Sequence, residues 1–223
     1  LEKDVVEAEI DIIRQMGVEI RCGVEVGRDI TLDQLRQQGY KAFYIAIGCQ
    51  GGRKAGIPGE DAPNVTTAVE FLHRVCDGEP VKLEGRAVVI GGGNVAIDVV
   101  RSGLRCGAAS ADMYCLEARE QMPASAEEIA EAEEDGATVH CGWGPKEILV
   151  DNGRAVGVVF RRCVSVFDEK GRFAPVYNDE ETITVECDHV FLSIGQSIQW
   201  GGLLEGCRLE CGPGGRAMAD PLT

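Results

Sequence analysis

The sequence predicts an α/β fold in which a parallel-sheet nucleotide unit interrupts a second domain. Three observations carry this. The β-branched run Val88-Val89-Ile90 stops at Gly91-Gly92-Gly93 and leads into a helical pattern from Asn94, as a buried parallel strand feeding a helix does. After one further helix the pattern changes to strands joined by tight turns, which predicts a β-meander following the parallel unit. Two strand ends, Ala46-Ile47-Gly48 and Ser193-Ile194-Gly195, are alike and bracket everything between them. Bracketing implies an inserted domain, assigned to residues 64–190, with residues 1–63 and 191–223 as two parts of another.

The elements follow in order. Val5, Val6, Ile10, Ile12, Ile13 and Met16 recur at helical spacing over about Glu2–Met16, and Gly17 stops the helix. Val18–Cys22 reads as a short strand. Thr31–Gln37 reads as a helix with Thr31 as N-cap and Gly39 past its end. Ala42–Ile47 reads as a buried strand ending at Gly48, and the stretch from Gly51 to Gly59 as loop. Thr66–Val75 is helical and delivers the chain to the Ile90 strand. A helix over Asn94–Cys106 and a strand over Asp112–Leu116 close a βαβ unit. Ser125, with Glu128 at the capping-box position, opens an acidic helix whose charges are read as a solvated face. Thr138–Cys141 is the next strand. Lys146–Val150 and Ala155–Val166 flank Asn152-Gly153, a strong hairpin signal. A turn at Asp168–Gly171 and strands at Thr182–Cys187 and His189–Ile194 complete the series.

Gly91, Gly93 and Ala96 fit the spacing G-x-G-x-x-A. The first glycine makes the turn, the second lets backbone approach a pyrophosphate, and the small third residue lets helix and strand pack closely. The helix start presents unpaired N–H groups and a positive dipole end. Gly91, Gly92, Gly93 and Asn94 would therefore line a pyrophosphate, with Asn94 able to donate from its side chain, and Val95 and Ala96 begin the helix. This Rossmann-like unit predicts a bound NAD(P). Glu117 lies 21 positions after Ala96, at the end of the next strand. A carboxylate there accepts ribose hydroxyls and repels a 2′-phosphate, so NAD(H) is expected over NADP(H). Arg119, two residues on, is placed to soften that discrimination or to stack on adenine.

Composition narrows the rest. The chain has 223 residues and a net charge of −15, which disfavours nucleic acid and anionic membranes as partners. None of its ten cysteines falls in a C-x-x-C spacing, and no signal or spanning segment is visible, so reduced buried thiols in a cytoplasmic protein are expected and no metal site is assigned. Starting at Leu1 without Met and ending at Pro221-Leu222-Thr223, the sequence reads as a segment of a longer polypeptide. No Ser/His/Asp or Cys/His constellation is evident. Hydride transfer needs none, because the protein supplies position and electrostatics.

Four stretches, Val88–Asp98, Arg119–Ala124, Trp143–Leu149 and Ser193–Ser197, resemble the glutamate synthase small-subunit (β chain) family of FAD- and NAD(P)H-dependent oxidoreductases. The resemblance implies a two-dinucleotide fold, with an FAD domain interrupted by the NAD(P)H domain. The outer segments would be remnants of the flavin domain, and FAD would be bound in the full-length protein. It also implies hydride transfer from NADH or NADPH to FAD, then onward to iron–sulfur clusters or a partner subunit such as an amidotransferase. The chain departs from NADPH-linked members, which carry paired arginines where Leu116 and Glu117 stand here. By resemblance, Asp98 falls near the nicotinamide amide, its alternative being a helix carboxylate paired with Arg101. Met122 and Pro123 shape the nicotinamide-ribose wall or pack a plain loop. Gly195 and Gln196 lie over the nicotinamide side. A non-catalytic NAD(H)-binding module is the alternative function.

Overall fold

The computed structural model describes residues 2–207 and 209–218; the chain ends at Leu1 and Pro221–Thr223 lie outside the described residues. Two compact units divide the chain. One combines the stretch up to Ala46 with that from Gln199, and the other is continuous over Ile47–Ile198. The outer unit is thus made of two stretches separated by the inner one.

In the outer unit, α1 (Lys3–Gln15) is amphipathic but has no buried residue. Helix α2 (Leu32–Gln37) starts at Thr31, whose hydroxyl and backbone exchange hydrogen bonds with Gln34 in a full capping box. Two expected strands are absent. Val18–Cys22 and Ala42–Ile47 have the right side chains, yet neither pairs with any described strand, and Tyr44 is 95% exposed. A strand satisfies its backbone only through neighbours, so β-branched composition without a partner leaves irregular chain.

The inner unit runs β1 (Gly51–Gly52), β2 (Val65–Thr67), α3 (Ala68–Cys76), β3 (Arg86–Ile90), α4 (Asn94–Arg105), β4 (Ser110–Cys115), α5 (Ala126–Glu134), β5 (Thr138–Cys141), β6 (Trp143–Asp151), β7 (Arg154–Phe167), β8 (Phe173–Glu186), β9 (His189–Leu192) and β10 (Gln196–Ser197). The stretch expected as loop therefore contains β1, which pairs antiparallel with β10. Five strands form a parallel sheet in the order β2-β9-β3-β4-β5, and β6-β7-β8 form the antiparallel meander.

The sheet sorts its side chains by alternation. Val89, Met113 and Phe191 face α3, α4 and α5, whereas Val88, Ile90, Tyr114, Val190 and Leu192 face the meander. Across that second interface Tyr114 stacks on Phe160 with ring centroids 4.2 Å apart. Val88, Val89 and Ile90 are at most 2% exposed, and burial stabilises each by about 1.5–3 kcal/mol. Asn152 (φ 48°) and Gly153 (φ 78°) both take the left-handed region that a two-residue hairpin turn requires. A buried Asn64 ties the layers together. Its amide donates to the carbonyls of Ala155 (2.8 Å) and Asp188 (2.7 Å) and accepts from Ala155 N–H (2.8 Å).

Candidate nucleotide-binding site

The site forms where β3, β4 and β9 end together. Gly91 N–H donates to Tyr114 O (2.9 Å), and Ser193 N–H donates to Ile90 O (2.8 Å), so the glycine turn is stitched on both sides. The three glycines have different reasons to lack a side chain. Gly91 has φ 144°, and a Cβ there would stand 2.2 Å from Ser193 O. A Cβ on Gly92 would meet Cys115 Cβ at 2.9 Å and Glu117 Oε2 at 3.0 Å. Gly93 is the N-cap of α4 in extended conformation (φ −95°, ψ 173°), and a Cβ there would meet nothing within 4 Å. Ala96 is fully buried against the sheet, as the close helix–strand contact demands.

These residues border a cavity of about 740 Å³, within the ~300–1,000 Å³ usual for small-molecule sites. Gly91, Gly92, Gly93, Asn94 and Val95 line one side; Glu117 and Pro123 line the β4 end; Gly195 and Gln196 line the β9 end. The other four expected residues lie elsewhere. Ala96 is beneath the turn. Asp98 is exposed and does not line the cavity, and Arg101 pairs with Glu131 (2.6 Å) and Asp135 (2.7 Å) instead of Asp98. Arg119 is turned onto Glu133 by two bonds of 2.6 and 2.7 Å. Met122 is buried, with the Cys141 thiol 3.7 Å from its sulfur. Asn94 uses its side-chain oxygen to accept from Ser125 N–H (3.0 Å), which fixes the start of α5 beside the turn.

Sequence reasoning missed the cations and aromatics of the cavity. Arg53 and Lys54 follow β1, and Arg161 comes from β7, so three cations face one carboxylate, Glu117. Arg53 N–H donates to Gly195 O (3.1 Å), while the Lys54 ammonium pairs with Asp61. Arg161 lies 3.8 Å over the Tyr177 ring and bonds Asp179 at 3.0 Å. Its Nε is buried without a hydrogen-bond partner among the described residues. Tyr114, Trp143 and Tyr177 supply aromatic walls. The only available signals were the Gly-Gly-Arg-Lys run and the Trp-Gly-Pro run, neither of which specifies a cavity by itself. Burial, then the neighbouring Cys141, pushes the Cys115 thiol well above its ordinary range, and burial pushes up the Tyr114 phenol. Neither group is thus an activated nucleophile.

Among the described residues, no helix is long and apolar enough to cross a membrane. The chain is 35% identical over its whole length to the NADP(+)-dependent formate dehydrogenase subunit beta of Moorella thermoacetica, spanning 32% of that protein. It is 34% identical over 87% of its length to the NADPH-Fe(3+) oxidoreductase subunit beta of Geobacter sulfurreducens and to the NADPH glutamate synthase small chain of Halomonas elongata, spanning 30% and 43% of those proteins. It thus covers less than half of each of these relatives. Among solved structures, FprA of Mycobacterium tuberculosis in complex with NADPH matches 78% of this chain and 54% of its own, with TM-score 0.67 and 21% identity. A thioredoxin reductase from T. acidophilum matches 76% of this chain and 49% of its own, with TM-score 0.55 and 19% identity. The fold is that of two-domain FAD/NAD(P)H-binding flavoprotein reductases.

These comparisons correct one expectation. A preference for NAD(H) over NADP(H) does not stand, because NADP(+) or NADPH is the nucleotide named for the three relatives above. The inference from Glu117 weighed one strand end only, whereas Arg53, Lys54 and Arg161 from other segments also line the cavity. Parallel sheet, glycine turn and meander are matched across nearly the whole sequence, at residues 2–222, and the chain belongs to the pyridine nucleotide-disulphide oxidoreductase family.

Proposed function

We propose that this chain is the nicotinamide-nucleotide part of a flavin-dependent oxidoreductase related to glutamate synthase small chains, with NADPH as the electron donor. In the whole protein the acceptor is FAD, and electrons pass onward to iron–sulfur clusters or a partner subunit. Support for the nucleotide comes chiefly from Gly93. Neither backbone strain nor a clash among the described residues excludes a side chain there, since its backbone is extended and its Cβ position is open. A phosphate group resting on the start of α4 would exclude one. Arg53, Lys54 and Arg161 in the cavity lining, on a chain of net charge −15, fit the same polyanion.

The residues fit one dinucleotide. Among the described residues, only the Gly91–Gly93 turn runs from a strand through glycines into an α-helix. Hydride exchange between nicotinamide and flavin is chemistry the bound cofactors supply. The chain's own contribution is to seat the phosphates on α4, to hold the nucleotide against the aromatic wall, and to bring Gly195 and Gln196 beside the cavity at the β9 end.

Calorimetric titration with NADPH tests the reading. Gly93→Val meets no clash, so the melting midpoint should fall by only a few degrees, the cost of a poorer N-cap, while NADPH affinity falls by at least about tenfold. Equal affinity of the two proteins would refute it.

A further inference from the structure

We propose that Arg161 and Arg162, adjacent on β7, receive the 2′-phosphate of NADPH; this rests on the nucleotide assignment above. A 2′-phosphate needs cations near the end of the strand that follows the glycine helix, and here that end carries Leu116 and Glu117. Arg119 is committed to Glu133 through both terminal nitrogens.

The meander brings two arginines to this place from another direction. The β7–β8 register slips between Arg161 and Arg162, so strict alternation is broken there. Arg161 lines the cavity together with Leu116, Glu117, Trp143 and Tyr177. Its guanidinium carbon lies 3.8 Å over the Tyr177 ring and one terminal nitrogen pairs with the exposed Asp179 at 3.0 Å, while its buried Nε has no acceptor among the described residues. A buried donor without a partner is costly unless a ligand or water supplies one. Arg162 is not itself in the cavity lining but lies beside the same strand end. Its Nη1 and Cζ lie 3.1 Å from where a Cβ on Gly142 would stand, and Gly142 N–H donates to Glu117 O (3.0 Å). The Arg162 guanidinium lies 5.3 Å from the Trp143 ring centroid, and it forms no ion pair among the described residues. The Cys163 thiol lies within reach of both charges: after burial, Glu117 raises its pKa and Arg162 lowers it. Two planar guanidiniums near the Leu116–Glu117 strand end would suit bidentate binding of a phosphate. The paired arginines missing from the strand end are thus supplied by the meander.

The test is titration of the 223-residue chain with NADPH and, separately, NADH. Wild type should prefer NADPH. Arg161→Gln with Arg162→Gln should lower NADPH affinity by about tenfold to a hundredfold and NADH affinity several-fold less, with an unchanged melting midpoint showing that the fold is intact. Arg162→Lys in an otherwise native chain should restore part of the loss seen in Arg162→Gln. An equal loss for both nucleotides, no loss for either, or a wild type without NADPH preference would overturn the proposal while leaving the nucleotide site standing. A loss reproduced by Arg119→Gln alone would move the phosphate back to the strand end and overturn it equally. Failure of wild type to bind either nucleotide would refute the nucleotide assignment itself.

Discussion

Replacing Asn64 with alanine should cost the inner unit about 3 kcal/mol. The side chain is 6% exposed and makes three hydrogen bonds of 2.7–2.8 Å to backbone groups far away in sequence. Two of these serve Ala155, which is 3% exposed, so its N–H and C=O would be left in an apolar layer. Each orphaned buried group costs about 1–3 kcal/mol. The third partner, the carbonyl of Asp188, belongs to an exposed residue and water can replace the amide there, so its loss adds little. Taking the lower half of the range for each Ala155 group gives about 3 kcal/mol, or roughly a 10 °C drop in Tm for a unit of this size. Urea unfolding followed by Trp143 fluorescence in a Trp200→Phe background reads the inner unit alone. A loss below about 1 kcal/mol would refute the claim that Asn64 clamps β2 and β9 to the meander.

Two further outcomes follow from the same kind of reasoning. Gly91→Ala should destabilise by about 2–4 kcal/mol in a urea melt, because φ 144° is strained for alanine and its Cβ would press on Ser193 O, whereas Gly93→Ala should change stability by under about 1 kcal/mol; equal losses would refute the division of roles within the turn. Burial lowers the pKa of His189 below 6.5. The neutral imidazole thus contributes stability that is present above pH 6.5 and is lost as pH falls through the lowered value, because the unfolded chain binds the proton first. His189→Gln should flatten the decline of stability on the acid side of pH 6.5, and an unchanged pH profile would refute this.

Features set by neighbouring residues were legible in the sequence. The Gly91–Ala96 turn, the Asn152-Gly153 hairpin and the Ser125 N-cap each depend on a few adjacent side chains and dihedral angles, and all are present. What depends on distant neighbours was not. Ala42–Ile47 and Val88–Ile90 look alike as sequence, but only the second has strands on both sides. Strand β8 begins at Phe173, well before the expected Thr182, because its register shifts and charged residues hide the alternation. Nine of the thirteen expected site residues line the cavity. Arg53, Lys54 and Arg161 escaped notice because they reach it only after β1 and β7 fold across the sheet end. Judging nucleotide preference from Glu117 failed for the same reason: a charge at one position says little about a potential assembled from three segments.

The short ladder of β1 and β10 has a consequence for how such a module can travel. Gly51 stands opposite Ser197 and Gly52 opposite Gln196, so the inserted stretch begins and ends about 5 Å apart, the width of one strand pairing. A host chain need open no wider than a hairpin to accommodate it, and the acceptor's termini need not move. Genetic transplantation into a surface turn of an unrelated scaffold, or circular permutation with new ends at Asn152-Gly153, are operations that this geometry permits without rebuilding either core.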